Sequence, residues 1–160
     1  MAEKDPHIYV MIESLEKKEA ILDQIIKVNM EQTRLIRQEK LKLSSFGQTL
    51  EQKAELIQQL GVLDDGFQSV YDRIKEVLKT SKSIYKTEIQ TMQQFIGRIT
   101  EKSMSIQAEE ARNRLTIEAH FAKMKKDVKY AKKSNKVAAN YYQNMSKLNL
   151  TESQFLDKKK

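Results

Sequence analysis

Side chains able to do chemistry are few in this sequence and badly spaced for it. There are two histidines, His7 near the N-terminus and His120 in a basic stretch. Neither follows a glutamate by three residues, so the Glu-x-x-His pairing of di-iron bundles is absent. Glu109 and Glu110 adjoin, but neighbouring residues on a helix point to different sides and do not make a two-carboxylate site. "LDDG", residues 63–66, offers two acids without the spaced ligands that calcium needs, and reads better as a helix cap. With no cysteine, thiol nucleophiles, thiolate metal sites and disulfide scaffolds are excluded. There is no Gly-rich phosphate loop, HExxH or EF-hand loop. The expectation is a protein that is no enzyme, with no catalytic residue, no metal site, no cofactor and no small-molecule substrate.

The other conspicuous chemistry is charge. Residues 1–111 hold 16 basic and 18 acidic side chains, whereas residues 112–147 hold ten basic and two acidic. Six lysines fall between Lys125 and Lys136, followed by the pair Tyr141–Tyr142. Lysines beside aromatics suggest a nucleic-acid platform, but nearby arginines for reading base edges are lacking. Ile117, Phe121, Met124, Val128, Ala131, Asn135, Ala138, Tyr142 and Met145 recur in steps of three and four. That spacing is an a/d seam, which puts most lysines on the wet face of the same helix. Tyr142 falls on the seam and Tyr141 is turned about 100° away, as the freer of the two. A solvated basic face is the first reading, an acidic protein partner the second, and nucleic acid or an anionic membrane surface the last.

The elements that carry these residues are all helical. The 160 residues include four glycines and one proline, too few turn formers for anything but long elements. The apolar content, 39%, suits a bundle in which each helix buries one stripe. Asp5 before Pro6 predicts a helix start. Ile8, Leu15, Leu22, Asn29, Ile36, Leu43, Leu50 and Ile57 then recur every seven residues, a pattern too long for one ordinary helix. A bend is expected at 44–49, where Gly47 is followed by a Thr49–Gln52 capping box, and a break at 61–66 between Gly61 and Gly66. Helical spacing continues from about 65 to 99, with a kink or turn at Gly97–Thr100. Residues 148–160 read as a flexible tail. The fold predicted is an all-α, elongated antiparallel helical bundle, or a long coiled-coil hairpin with additional helices, forming one domain over 1–160. Asn29 and Asn135 interrupt the seams, to select register or to mark where a foreign helix joins. With neither a signal-like segment nor 18 uncharged apolar residues in a row, a soluble cytoplasmic protein without stable membrane insertion is expected.

"LSSFGQTLEQKAELIQQLGVLDDGFQSVYDRI", residues 43–74, resembles the middle of the FlgN family of flagellar export chaperones. The matching positions are Leu50, Lys53, Ile57, Leu60, Leu63, Asp64 and Phe67. "IESLEKKEAILDQIIKV" is similar to the family's first helix, and "NKVAANYYQNM" to the C-terminal ending of Gram-positive members. The resemblance implies a cytoplasmic helical protein that holds the terminal helical segment of hook–filament junction proteins before type III secretion. It also implies delivery to the flagellar export apparatus. In enteric members a tyrosine near the end of the last helix docks to the export gate; Tyr141 or Tyr142 is the counterpart here.

Such a chaperone needs an exposed apolar groove for an amphipathic client. Long stripes on few helices supply one, and the seven methionines help it adapt. Along the last helix the candidate client contacts are Val128, Ala131, Asn135, Ala138, Tyr142 and Met145. The alternatives are a coiled-coil scaffold that closes its seams as a homodimer, and a basic-helix nucleic-acid binder.

Overall fold

In a computed structural model, which describes residues 4–123, 136–138 and 140–141, three long helices carry the chain. They are α1 (Pro6–Ile36), α2 (Leu43–Thr80) and α3 (Lys86–Lys123), and no strand occurs among the described residues. The start of α1 is the expected one. Asp5 accepts the backbone N–H of His7 at 2.9 Å, and Pro6 occupies the first turn, where its missing N–H costs nothing.

Helix α1 packs along both of the others. Gln32 meets Thr49 and Lys18 meets Asp64, so α2 runs antiparallel to α1. Glu19 meets Arg98, Thr33 meets Glu109 and Ile36 meets His120, so α3 runs parallel to it. Side chains join α2 to α3: Lys53 to Glu110 at 2.8 Å, and Phe46 to Phe121 with ring centroids 5.9 Å apart. The bundle predicted from composition is therefore present.

Its interruptions lie elsewhere than glycine placement suggested. The first break is residues 37–42, not 44–49. Leu43, the heptad position after Ile36, is 42% exposed, whereas Leu41 and Phe46 are buried; the stripe is rephased across the connection. Thr49 is no cap. It is buried within α2, with its hydroxyl donating to the Phe46 carbonyl. The break at 61–66 does not exist: α2 continues through it, anchored by buried Leu60 and Phe67 on either side. Gly61 and Gly66 have ordinary negative φ, so nothing in the backbone requires glycine there. Gly97 likewise lies inside α3, and the actual turn is 81–85, which has neither Gly nor Pro. It is fixed instead by Tyr85, which is buried and accepts the Asp5 N–H on its hydroxyl at 2.9 Å.

The interior consists of two apolar clusters. The larger runs from Ile8 to Ile25 on α1, Leu56 to Leu78 on α2 and Ile89 to Ile106 on α3. The smaller gathers Leu35, Ile36, Leu41, Phe46, Leu50, Ile117 and Phe121. Where they meet lies a polar layer: Asn29 and Gln32 on α1, Thr49 and Lys53 on α2, Glu110 and Asn113 on α3. The Lys53 ammonium donates to Gln32 Oε1 and Glu110 Oε1, both at 2.8 Å, and Gln32 Nε2 donates to Thr49 Oγ1 at 3.1 Å. Buried polar pairs of this kind cost desolvation but lose much more if the helices slip, so they fix register.

Candidate functional site

Within the larger cluster, Lys18 and Asp64 form a second buried ion pair at 2.5 Å, joining α1 to α2. Lys18 is only 3% exposed, which a lysine tolerates only when paired. The other oxygen of Asp64 accepts the Tyr141 hydroxyl at 3.0 Å. Asp64 thus holds α1 with one oxygen and the C-terminal segment with the other.

The described part of that segment is helical, residues 136–138 and 140–141. Ala138 is 5% exposed and belongs to the larger cluster; Tyr141, three residues on, is half-buried against it. Lys136, Val137 and Asn140 face solvent. Spacing of three puts Ala138 and Tyr141 on one face, and it is the inner one. Ala138 is buried, in keeping with the seam position read from sequence, while Tyr141, expected to turn away from the seam, is half-buried and hydrogen-bonded. Val128, Ala131, Asn135, Tyr142 and Met145 lie outside the described residues, as do the lysines from Lys125 to Lys133 and the tail 148–160.

Two surface hollows flank α1. One, about 470 Å³, opens between α1 and α3 over Ile26, Asn29 and Ile106. The other, about 260 Å³, opens between α1 and α2 beside Val10, Val62 and Gly66; Val10 and Val62 are exposed. On the wall of the first, Glu109 accepts the Thr33 hydroxyl at 2.6 Å and pairs with Arg112. The Thr33 hydrogen bond, seconded by Arg112, holds its carboxyl below the usual range. At the opposite end of α1, Lys4 bonds Glu88 at 2.7 Å and lowers its pKa similarly. Among the described residues, no group of three or more His, Asp or Glu could hold a metal ion. His7 bonds Asp5 and His120 the Ile36 carbonyl, both in helix-end roles.

The sequence positions that carried the resemblance on α2 now have a physical meaning. Leu50, Lys53, Leu60 and Phe67 are buried, Ile57 and Leu63 partly so, and Asp64 is the branching acceptor. They are the inward face of one helix, including both of its buried charges. Lys18 and Gln32 gave no signal of their own in the sequence, since a lysine or glutamine on an amphipathic helix reads as solvent-facing. Asn29 did: a polar residue on a seam position.

The arrangement is that of an all-α bundle whose core is cut by polar layers and on which a C-terminal helical segment is laid. The family model described as FlgN protein matches residues 1–149, and the chain belongs to that family, the flagellar export chaperones. This is a chaperone family, not one of enzymes. No curated relative and no solved structure matches the chain. No helix among the described residues is long and apolar enough to cross a membrane.

Proposed function

We propose that the chain acts as a single cytoplasmic domain that binds the terminal helical segment of flagellar hook–filament junction proteins and carries it to the export apparatus. The observation that supports this most is the seat of the C-terminal segment. Ala138 and Tyr141 lie on an otherwise continuous apolar face, with one phenolic hydrogen bond to Asp64. A place that holds one amphipathic helix can hold another of the same pattern. A client helix joins or replaces this segment, with Val128, Ala131, Asn135, Ala138, Tyr142 and Met145 as its proposed contacts. Tyr141 and Tyr142 are the proposed gate-docking residues; since the Tyr141 hydroxyl is engaged, docking through it requires the segment to lift from Asp64.

The test is to co-purify the chain with junction subunits and measure the mass of the complex. A stoichiometric complex that fails when the subunit's terminal helix is deleted is expected. A stable homodimer that ignores the subunits would refute the reading and leave the scaffold alternative.

A further inference from the structure

The connection between α1 and α2 and the last turn of α3 come together at one end of the bundle. His120 on α3 bonds the Ile36 carbonyl at 2.7 Å, and Leu41 packs in one cluster with Phe46, Ile117 and Phe121. What this end shows to solvent is lysine. Lys40, Lys42 and Lys123 are exposed, and none forms an ion pair among the described residues. Glu39 is the one acid in the connection 37–42, and Arg37 acts on Glu109. Beyond Lys123 the sequence continues with Lys125 and Lys126.

Two choices here are not explained by the fold. Lys42 is the N-cap of α2 and makes no side-chain capping bond, where Ser, Thr, Asp or Asn would stabilise the helix. The helix dipole also disfavours a cation at that position. Leu43, the first residue of α2, is 42% exposed, whereas Leu41 is buried. An exposed leucine alone is ordinary. This one stands beside Lys42 where the chain reverses, as an aliphatic apex within a cationic rim.

Shape and chemistry decide among anionic partners. A connection that turns the chain at the end of a bundle projects outward, whereas a peptide helix needs a groove to lie in. Nucleic acid is read by arginines and stacked on exposed aromatics. Phe46 and Phe121 are both buried at this end, packed against each other, and no aromatic platform is exposed there among the described residues. A lipid surface needs neither feature: lysines meet its anionic headgroups, and a projecting leucine enters the interface.

We propose that this end of the bundle, with Lys40, Lys42 and Lys123 around Leu43, is a docking surface for an anionic phospholipid bilayer. The contact is peripheral and reversible. On α2, Asp64 lies about 33 Å beyond Lys42, so the surface is separate from the seat of Tyr141 and does not rest on the client reading.

The experiment is flotation of the full-length chain with vesicles of phosphatidylcholine alone, and with vesicles in which phosphatidylglycerol makes up about a third of the lipid. Each lysine near such a surface is worth about fivefold in binding, so the three give about a hundredfold preference for the anionic vesicles. That preference should fall as salt is added. Lys40→Glu/Lys42→Glu/Lys123→Glu should abolish it. Lys27→Glu/Lys82→Glu/Lys86→Glu, which changes the net charge equally but elsewhere, should bind within about twofold of the parent. The chain has no tryptophan, so Leu43→Trp gives a single reporter. Its emission should shift to the blue on the anionic vesicles and be quenched by lipid brominated in the acyl chain. Ile84→Trp, at the exposed turn 81–85, should show neither change. The reporter reads the contact without charge reversal, so the test stands should the triple variant fail to fold. Equal binding to both vesicle types, a triple variant that binds as well as its control, or no quenching at position 43 would overturn the proposal. Tighter binding to poly-glutamate or to single-stranded RNA than to the anionic vesicles would also overturn it, in favour of an acidic protein or a nucleic acid.

Discussion

Replacing Lys53 by Met is the perturbation that the polar layer answers most sharply. The side chain keeps its length and loses its charge and donors. Two acceptors then lose their partner: Glu110, whose side chain is 13% exposed, and Gln32, which is 2% exposed. Breaking a buried pair from one side costs about 3–5 kcal/mol. Glu110 keeps some contact with water, so the low end applies, about 3 kcal/mol. At about 2–4 °C per kcal/mol for a domain of this size, the midpoint of thermal unfolding should fall by about 6–12 °C. The double variant Lys53→Met/Glu110→Leu removes both charges and should recover at least about half of that loss, because an apolar pair of similar volume is tolerated there. Urea unfolding followed by helical circular dichroism, run on the two single variants and the double, gives the coupling directly. A single Lys53→Met variant within about 1 kcal/mol of the parent, or a double variant equal to the sum of the singles, would refute the claim that this pair is buried and coupled.

The uninterrupted α2 predicts that Gly61→Ala and Gly66→Ala each stabilise by up to about 1 kcal/mol, since a Cβ there meets nothing within 4 Å; destabilisation of either in urea would restore the break. Tyr141→Phe removes only the hydroxyl that Asp64 accepts, and should cost about 1–2 kcal/mol in the same assay, the bond being to a charged group but half-buried. A cost near zero would mean the segment is not seated there. Glu88 and Glu109 have pKa values lowered by Lys4 and Thr33 respectively. Their folded values lie below the unfolded one, so their stabilisation is complete above about pH 4.5 and lost as pH falls through the folded values. Urea midpoints should hold from pH 7 to 5 and drop by pH 3.5; a flat profile would contradict the two pairings.

The helical period in the sequence was legible because burial enforces it. Ile8, Leu15, Leu22, Asn29 and Ile36 are five successive heptad positions, and all are buried. The pattern misled where it continued by accident into Leu43, which is exposed after the connection at 37–42 resets the phase. Turns were misplaced for one reason: glycine was read as punctuation. Gly61, Gly66 and Gly97 sit in helices, whereas the turn at 81–85 is set by a long-range contact, Tyr85 with Asp5, that no local signal announces. The candidate site suffered the same limit. The seat of Tyr141 depends on Asp64, 77 residues earlier. The buried lysines Lys18 and Lys53 became intelligible only when their carboxylates came into place. Asn29, in contrast, was already visible as a polar residue on an apolar seam.

We propose above that this bundle holds a helical segment of a junction protein before export. The most direct measurement is the mass, by light scattering, of the full chain mixed with a hook–filament junction subunit, and with the same subunit lacking its terminal helix. A complex of defined stoichiometry with the first and none with the second is the predicted result. No complex with either, or one indifferent to the deletion, would contradict it.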